Sequence, residues 1–475
     1  MRRSRWSRRA RPARVDRVIK RAEELSHRMS ILQSRASTST ASTRALLGIS
    51  LGYFMVLLDM TVLSVAEPDL AASLHTSIAG LQWATTGYTI AFAALLLSAG
   101  AVADRHGAHR VFRFGTAAFG LVSLLSAFAP NLSVLVALRV LLGVAAAACV
   151  PASMAMITQL YPDPGRRARA ISTWAAISGA AVAAGPIVGG ALVGLAGWRS
   201  IFVVNVPIAV VVLALSMGSA VTCARGDRRI DWAAQLAAAV ALALCTDALI
   251  AAGAQSWRHT AWSLSGAVLA AIIFVYLERH SAVPVLNREL LRAGRVRAGL
   301  LVGAAVNFAL TGALFVLPLL LQRHLSPLQT GLAFLPLTVP FAVIPPLAGK
   351  LVARVGPRRP ILTGLGLLAA GGVVLAVAVF VGLGYPVLAV GLLLSGLGVA
   401  FALPALVTAI VNAAPPGTAG SVGGLLNAVR QVGATLGVAI MGALVTPGIG
   451  WSLLTSAVVC ALACIVFGYH RAAES

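Results

Sequence analysis

Few residues in this chain could do chemistry, and the most telling is Asp59. It stands near the middle of a long apolar run, Ala45 to Ala66, within Leu58-Asp59-Met60-Thr61-Val62. A carboxylate in such a run is costly, and acids kept there usually lie on ion, proton or substrate paths. The competing reading is a protonated acid bonded to a neighbouring helix. Arg139 and Arg430 also lie inside apolar runs, and Asp247 is a second embedded acid. The chemistry open to such a set is proton exchange and ion pairing. No nucleophile elbow, P-loop, HExxH or dinucleotide fingerprint occurs, so neither ATP hydrolysis nor covalent chemistry is expected. The chain therefore reads as no enzyme, and no cofactor or metal is expected. Cys460 and Cys464 share a helix face without a His or carboxylate beside them. With Cys149, Cys223 and Cys245 they read as small hydrophobes rather than metal ligands or a disulfide framework.

The elements that must hold these groups are membrane helices. The 475 residues are 59% hydrophobic and 11% charged, with mean hydropathy +0.90. A soluble domain needs more polar surface, whereas apolar runs of about 20 residues mark bilayer-spanning helices. Fourteen runs qualify, near 45–67, 80–102, 110–128, 132–158, 168–196, 200–220, 231–253, 261–279, 297–321, 329–353, 358–382, 386–411, 420–445 and 451–470. Helices are the expected form because unpaired backbone groups are not tolerated in lipid. The expected fold class is an all-α membrane protein.

The net charge of +23 is a topology signal rather than a nucleic-acid footprint. Of the 37 Lys and Arg residues, 32 fall in the N-terminal arm, the C-terminal tail and the loops after even-numbered spans. Only Arg199, Arg258 and Arg323 lie on the other side. This split predicts a multi-pass protein of the cell membrane with both termini in the cytoplasm. Residues 1–28 hold many basic residues and no apolar core, so they are no signal peptide. Val15, Ile19, Ala22, Leu25 and Met29 could line a basic amphipathic helix on anionic lipid. The alternative is that Met29 is the true initiator.

The chain repeats itself. Gly100-Ala-Val-Ala-Asp104-Arg105-His-Gly107-Ala-His-Arg110 and Gly349-Lys-Leu-Val-Ala353-Arg354-Val-Gly356-Pro-Arg-Arg359 match in Gly, Arg, Gly and Arg at a constant offset of 249 residues. Two related halves with such a hairpin on one side suit a transporter that rocks around a central site. The glycines permit a tight turn, and the arginines can meet helix C-termini.

These segments carry a family resemblance over about residues 45 to 470. Gly100-x-Val102-Ala103-Asp104-Arg105-x-Gly107 resembles the loop signature of the major facilitator superfamily. Leu58-Asp59-Met-Thr61 through Ser64-Val65-Ala66-Glu67-Pro68 resembles the first-span signature of its 14-span drug:proton antiporter branch. Gly185-Pro186-Ile-Val-Gly189-Gly190 is similar to the antiporter motif, and Trp198-Arg199 through Asn205-Val-Pro207 follows it as in that branch. Pro318 to Gln322, Ser326 to Gly331 and Arg430-Gln431-Val-Gly433 resemble second-half signatures. The chain departs from the pattern at Ser64 (usually Asn), Glu67 (usually apolar), Leu142 (usually Gln) and Ala353 (usually acidic).

The resemblance implies 14 helices: a basic arm (1–44), a six-helix half (45–220), two inserted helices (221–296) and a second half (297–475). It also implies that spans one and four share the central cavity. Asp59 and Arg139 each stand about 12 Å inside the same end of their helices, so the two are expected to pair and to couple protons. A carboxylate whose proton affinity changes as the cavity opens and closes works as a proton carrier, while the other reading of Arg139 is a purely structural salt bridge. Gly100, Asp104, Arg105, Gly107 and Arg110 form the expected inner gate, with Asp104 as its single acid. Gly185, Pro186, Gly189 and Gly190 supply a bend and close packing that seals against proton leak. Asn307, Thr311, Asn427, Arg430 and Gln431 are the expected polar groups of the cavity, and Asp247 is placed at the periphery.

The implied function is export of a small amphipathic organic compound, a drug or antibiotic, in exchange for protons. Its partners are that substrate, protons and the lipid bilayer, with no nucleic acid and no obligate protein partner. The alternatives are proton-coupled import of a small metabolite, or a membrane sensor on the same fold. The span-five Gly-Pro motif argues against import, and the want of a soluble output domain argues against a sensor.

Overall fold

The computed structural model describes residues 12–217, 231–281, 286, 288–414 and 419–469, with side chains from residue 42 onward except at 288–289, 341–342, 346 and 419–421. The first half is built from α1 (Pro12–Leu74), α2 (Ile78–His106), α3 (Ala108–Ala127), α4 (Leu132–Leu160), α5 (Pro164–Ala196), α6 (Ser200–Val203) and α7 (Asn205–Ser216). Between the halves lie α8 (Trp232–Gly253), α9 (Trp257–His280) and the short α10 (Arg288–Arg292). The second half contains α11 (Gly294–Leu321), α12 (Pro327–Ala333), α13 (Leu335–Val343) and α14 (Pro345–Val355), then α15 (Arg358–Val381), α16 (Tyr385–Ala413), α17 (Ala419–Ala443) and α18 (Ile449–Tyr469). Side chains of the basic arm's proposed amphipathic face, and Cys223, lie outside the described residues.

Eleven helices among the described residues are long and apolar enough to cross a bilayer, beginning with the Ser42–Leu74 part of α1. Two expected single spans are broken instead. The 200–220 run divides into α6 and α7, an apolar stretch of only 17 residues (Ser200–Ser216). The 329–353 run divides into α12, α13 and α14, because Pro336 and Pro345, in the first turns of α13 and α14, each lack a donor and crowd the carbonyl four residues back, while Pro340 lies inside α13.

The internal repeat is visible in the packing. α5 lies along α1 as α17 lies along α11, and α3 and α4 pair as α15 and α16 do. Both hairpins turn on a glycine in the left-handed region. Gly107 has φ 92° and donates to Ala103 O, while Gly356 has φ 76° and donates to Val352 O, each bond 2.9 Å. All four positions obey the same 249-residue offset. An L side chain at either glycine would be strained, which explains why the turn residue is repeated.

The halves meet where α2 crosses α17 and where α5 meets α12 and α13. Contact is tightest at the end where α1 finishes. There a Cβ on Gly190 would lie 2.4 Å from Pro327 O, and one on Gly331 would lie 2.3 Å from Pro186 O. Gln82 of α2 reaches across to Val438 O (3.0 Å) and Ala439 O (2.8 Å) of α17. Gln322 of α11 donates to Val65 O of α1 at 2.7 Å. At the hairpin end, a Cβ on Gly349 would meet nothing within 4 Å. One end of the molecule is sealed by backbone-to-backbone contact, and the hairpin end is looser.

Candidate functional site: a buried charge network beside a polar cavity

Asp59 and Arg139 meet. Arg139 Nη1 lies 2.5 Å from Asp59 Oδ2, with both side chains almost fully buried. The guanidinium is held from two further directions, by Nε donating to Ala84 O at 3.0 Å and by the face of Tyr88, whose centroid is 4.6 Å away. Asn205 donates through Nδ2 to the other carboxylate oxygen, Asp59 Oδ1, at 2.9 Å, and lies 3.0 Å from Ser123 Oγ. Ser123 in turn donates to Phe202 O at 2.9 Å. The network therefore ties together α1, α2, α3, α4, α6 and α7. The break between α6 and α7 places Asn205 at a helix start, facing Asp59 across the first half. At the same 249-residue offset the second half has Phe308 and Leu388, so it holds no such pair.

Spans one and four both line the central cavity, α4 through Val150, but Asp59 and Arg139 are not among the lining residues. The cavity wall contributed by α1 is Tyr53, Leu57, Met60, Thr61, Ser64 and Glu67. Asp59 lies on a neighbouring stripe with Met55, Val56, Val62, Leu63 and Ala66, all buried in the first half. The 3.6-residue period separates the two faces.

The five expected cavity residues do line it: Asn307, Thr311, Asn427, Arg430 and Gln431. Arg430 is oriented by two amide oxygens, Asn307 Oδ1 and Asn427 Oδ1, each at 3.1 Å. Gln431 Oε1 is buried without a partner among the described residues. Glu67, noted from sequence only as a departure from pattern, lines the cavity too. Thr85 Oγ1 donates to its Oε1 at 3.0 Å. Sequence reasoning also missed Asn205, Ser123 and Tyr88 as members of the network. The Trp198-Arg199 through Asn205 segment was legible as a motif, but its meeting with α1 was not. Leu142, where an amide was expected, is fully buried among apolar groups.

The glycine motif of α5 is a packing device. A Cβ on Gly185 would fall 1.9 Å from Thr61 Oγ1, and one on Gly189 would fall 2.7 Å from Val62 O. α5 therefore lies directly against α1 one turn from Asp59, while Gly190 faces α12. The expected gate residues Asp104, Arg105 and Arg110 are exposed at the hairpin end. Asp247 is remote from the cavity. It accepts from Ser263 Oγ at 2.5 Å and lies 2.7 Å from His259 Nε2, both on α9.

Residues 49–228, 230–438 and 299–474 match the Major Facilitator Superfamily model. The chain belongs to the Major Facilitator Superfamily. It is 34% identical over 419 residues to a methylenomycin A resistance protein of Bacillus subtilis (strain 168), covering 87% of this chain and 90% of that protein. It is 35% identical over 409 residues to the multidrug resistance protein Stp of Mycobacterium tuberculosis (strain CDC 1551 / Oshkosh), covering 84% and 74%. The tetracenomycin C resistance and export protein of Streptomyces glaucescens shares 32% over 411 residues, covering 85% and 76%. Among solved structures, a bacterial homolog of the human lysosomal transporter Spinster, inward-facing and unoccupied, superposes with TM-score 0.67 at 18% identity, covering 90% and 96%. A POT family transporter in complex with 5-aminolevulinic acid gives 0.68 at 12% identity, covering 90% and 95%. The chain is thus a multi-pass membrane transporter whose sequence relatives are named for drug and antibiotic resistance.

Proposed function

We propose that the protein exports a small amphipathic organic compound, a drug or antibiotic, in exchange for protons. The observation that carries the reading is the Asp59–Arg139–Asn205 network: a carboxylate buried mid-membrane, held by one cation and one amide, in a set of contacts that joins six helices of the first half. Protonating Asp59 would free Arg139 and loosen five neighbouring helices at once, which is a direct route from proton binding to rocking. Resistance-protein relatives support export over import, as does the α5 seal against α1. The eleven long spans, with α3, the α6–α7 segment and the broken α12–α14 segment, make up fourteen crossings.

The positive-inside count puts both termini and the two hairpins in the cytoplasm, so the sealed end faces outward. Asp104, Arg105 and Arg110 with Gly100 and Gly107 then form the gate that must close for the outward-open state. Membrane potential contributes about 2.3 kcal/mol per charge per 100 mV and a proton gradient about 1.4 kcal/mol per pH unit, enough to concentrate substrate without ATP. Everted vesicles with an imposed pH gradient, probed with a panel of antibiotics and dyes, test this. Substrate-driven proton release is expected. Efflux that survives gradient collapse but stops on ATP depletion would eliminate the proposal.

A further inference from the structure

We propose that Glu67 is the recognition group for a cationic centre on the transported compound, an inference that rests on the export reading above. Glu67 is 2% exposed, yet only one of its carboxylate oxygens is partnered. Oε1 accepts from Thr85, while Oε2 has no hydrogen-bond partner among the described residues. Its side chain lines the central cavity. A buried carboxylate left this way is costly unless a cation or a proton completes it.

Neither protein cation nearby is free to do so. Arg139 is committed to Asp59 and Ala84 O. Arg430 shares the cavity but stands at another depth. Gln82 is level with Val438 and Ala439, and Thr89 with Thr435, whose hydroxyl is 2.7 Å from its own. Thr85, between them, is therefore level with residues 436–437, six or seven residues beyond Arg430, or about 10 Å. Arg430 also keeps Nε and Nη1 on Asn307 and Asn427.

The cavity thus has two unlike poles. At the sealed end is an acid with a vacant oxygen, and about 10 Å nearer the open end is a guanidinium held by neutral amides. The wall between includes Met60, Phe92, Leu314 and Phe315. Apolar and aromatic faces of this kind suit the body of an organic cation and stabilise its charge further. The ligand class is a monovalent amphipathic cation, such as an amine or onium compound, with its charge at Glu67 and its apolar body toward Arg430. A dication with its second charge at the far end is disfavoured by Arg430.

The test is binding to the purified full chain in detergent by equilibrium dialysis, with tetraphenylphosphonium and ethidium as probes and uncharged triphenylphosphine oxide as control. Wild type is expected to bind at least one cation at least tenfold more tightly than the control. Glu67→Gln should lose that preference, while Glu67→Asp should keep most of it. Equal binding of cation and control by wild type overturns the assignment without needing any variant, as does absence of cation binding. Undiminished cation binding by Glu67→Gln also overturns it. The outcome stands apart from the export reading, because wild type that binds cations but moves nothing under any gradient would sink export alone.

Discussion

Removing the Asp59 carboxylate should cost both stability and coupling, and a second substitution should separate the two. In Asp59→Asn, Arg139 stays charged at 1% exposure, held only by Ala84 O, the Tyr88 face and a neutral amide. Truncating one partner of a buried pair typically costs about 3–5 kcal/mol, because the other charge is left uncompensated. The amide oxygen at position 59 recovers part of this by still accepting from Arg139, as hydrogen bonds to charged groups contribute about 1.5–3 kcal/mol. The expected net loss is about 1–3 kcal/mol. Adding Arg139→Leu removes the orphaned charge, so the double variant should be more stable than Asp59→Asn alone. The coupling energy should exceed about 1 kcal/mol, as for residues in direct contact. Thermal unfolding of the four proteins of the cycle in one detergent measures this. Proton release driven by substrate, followed by dye dequenching in everted vesicles at matched expression, should be absent in both Asp59 variants. Additive effects on stability would refute the pair as an energetic unit. Wild-type proton exchange in Asp59→Asn would refute its role in coupling.

At the hairpins, Asp104→Ala should slow transport more than Ala353→Asp does, because only the first hairpin carries the acid; equal rates in a dye-efflux assay would count against the gate. Gly107→Ala should lower thermal stability by about 1–2 kcal/mol through its left-handed backbone. A Gly331→Val side chain would collide with Pro186 O, 2.3 Å from a Cβ there, so this variant should shift the protein away from the sealed state. Raised labelling of a cysteine placed near residue 190 would show it. Asp231 caps α8, and the backbone N–H of Ala234 chiefly, with Ser281, holds its carboxyl below the usual carboxylate range. Its stabilising contribution is therefore present above the ordinary carboxylate pKa and lost as pH falls through the depressed value. Asp231→Asn should flatten the acid limb of a melting-temperature profile.

Much of this was legible because membrane physics writes plainly. Lipid forces helices and concentrates basic residues on one side, so spans and hairpins could be read directly, and the depth of Asp59 and Arg139 followed from helical rise. The broken α12–α14 segment was legible in principle, since its prolines stand in the sequence. Depth along α1 says nothing of angle, so the side of the helix that Asp59 takes could not be read from helical rise. Tyr53, Leu57, Met60, Ser64 and Glu67 recur every three or four residues, whereas Asp59 belongs with Met55, Val56, Val62 and Leu63. Asn205 could not be foreseen as Asp59's partner, because it stands 146 positions further along the chain, beyond a helix break.

The placement of α8 bears on how a compound dissolved in the bilayer gets in. Two related halves leave two lateral seams facing lipid, one along α2 and α17 and one along α5 and the α12–α14 segment. α8 lies on both α2 and α17, with Gln235 donating to Ala94 O of α2 and Gly253 set directly against Ala443 of α17. That seam meets protein instead of acyl chains, and α9 adds a second layer outside it. The twofold likeness of the halves therefore does not extend to their surroundings. A molecule partitioned in the membrane meets an uncovered seam only along α5 and the α12–α14 segment, and there the outer end is closed by Gly190 and Gly331 against the facing backbone.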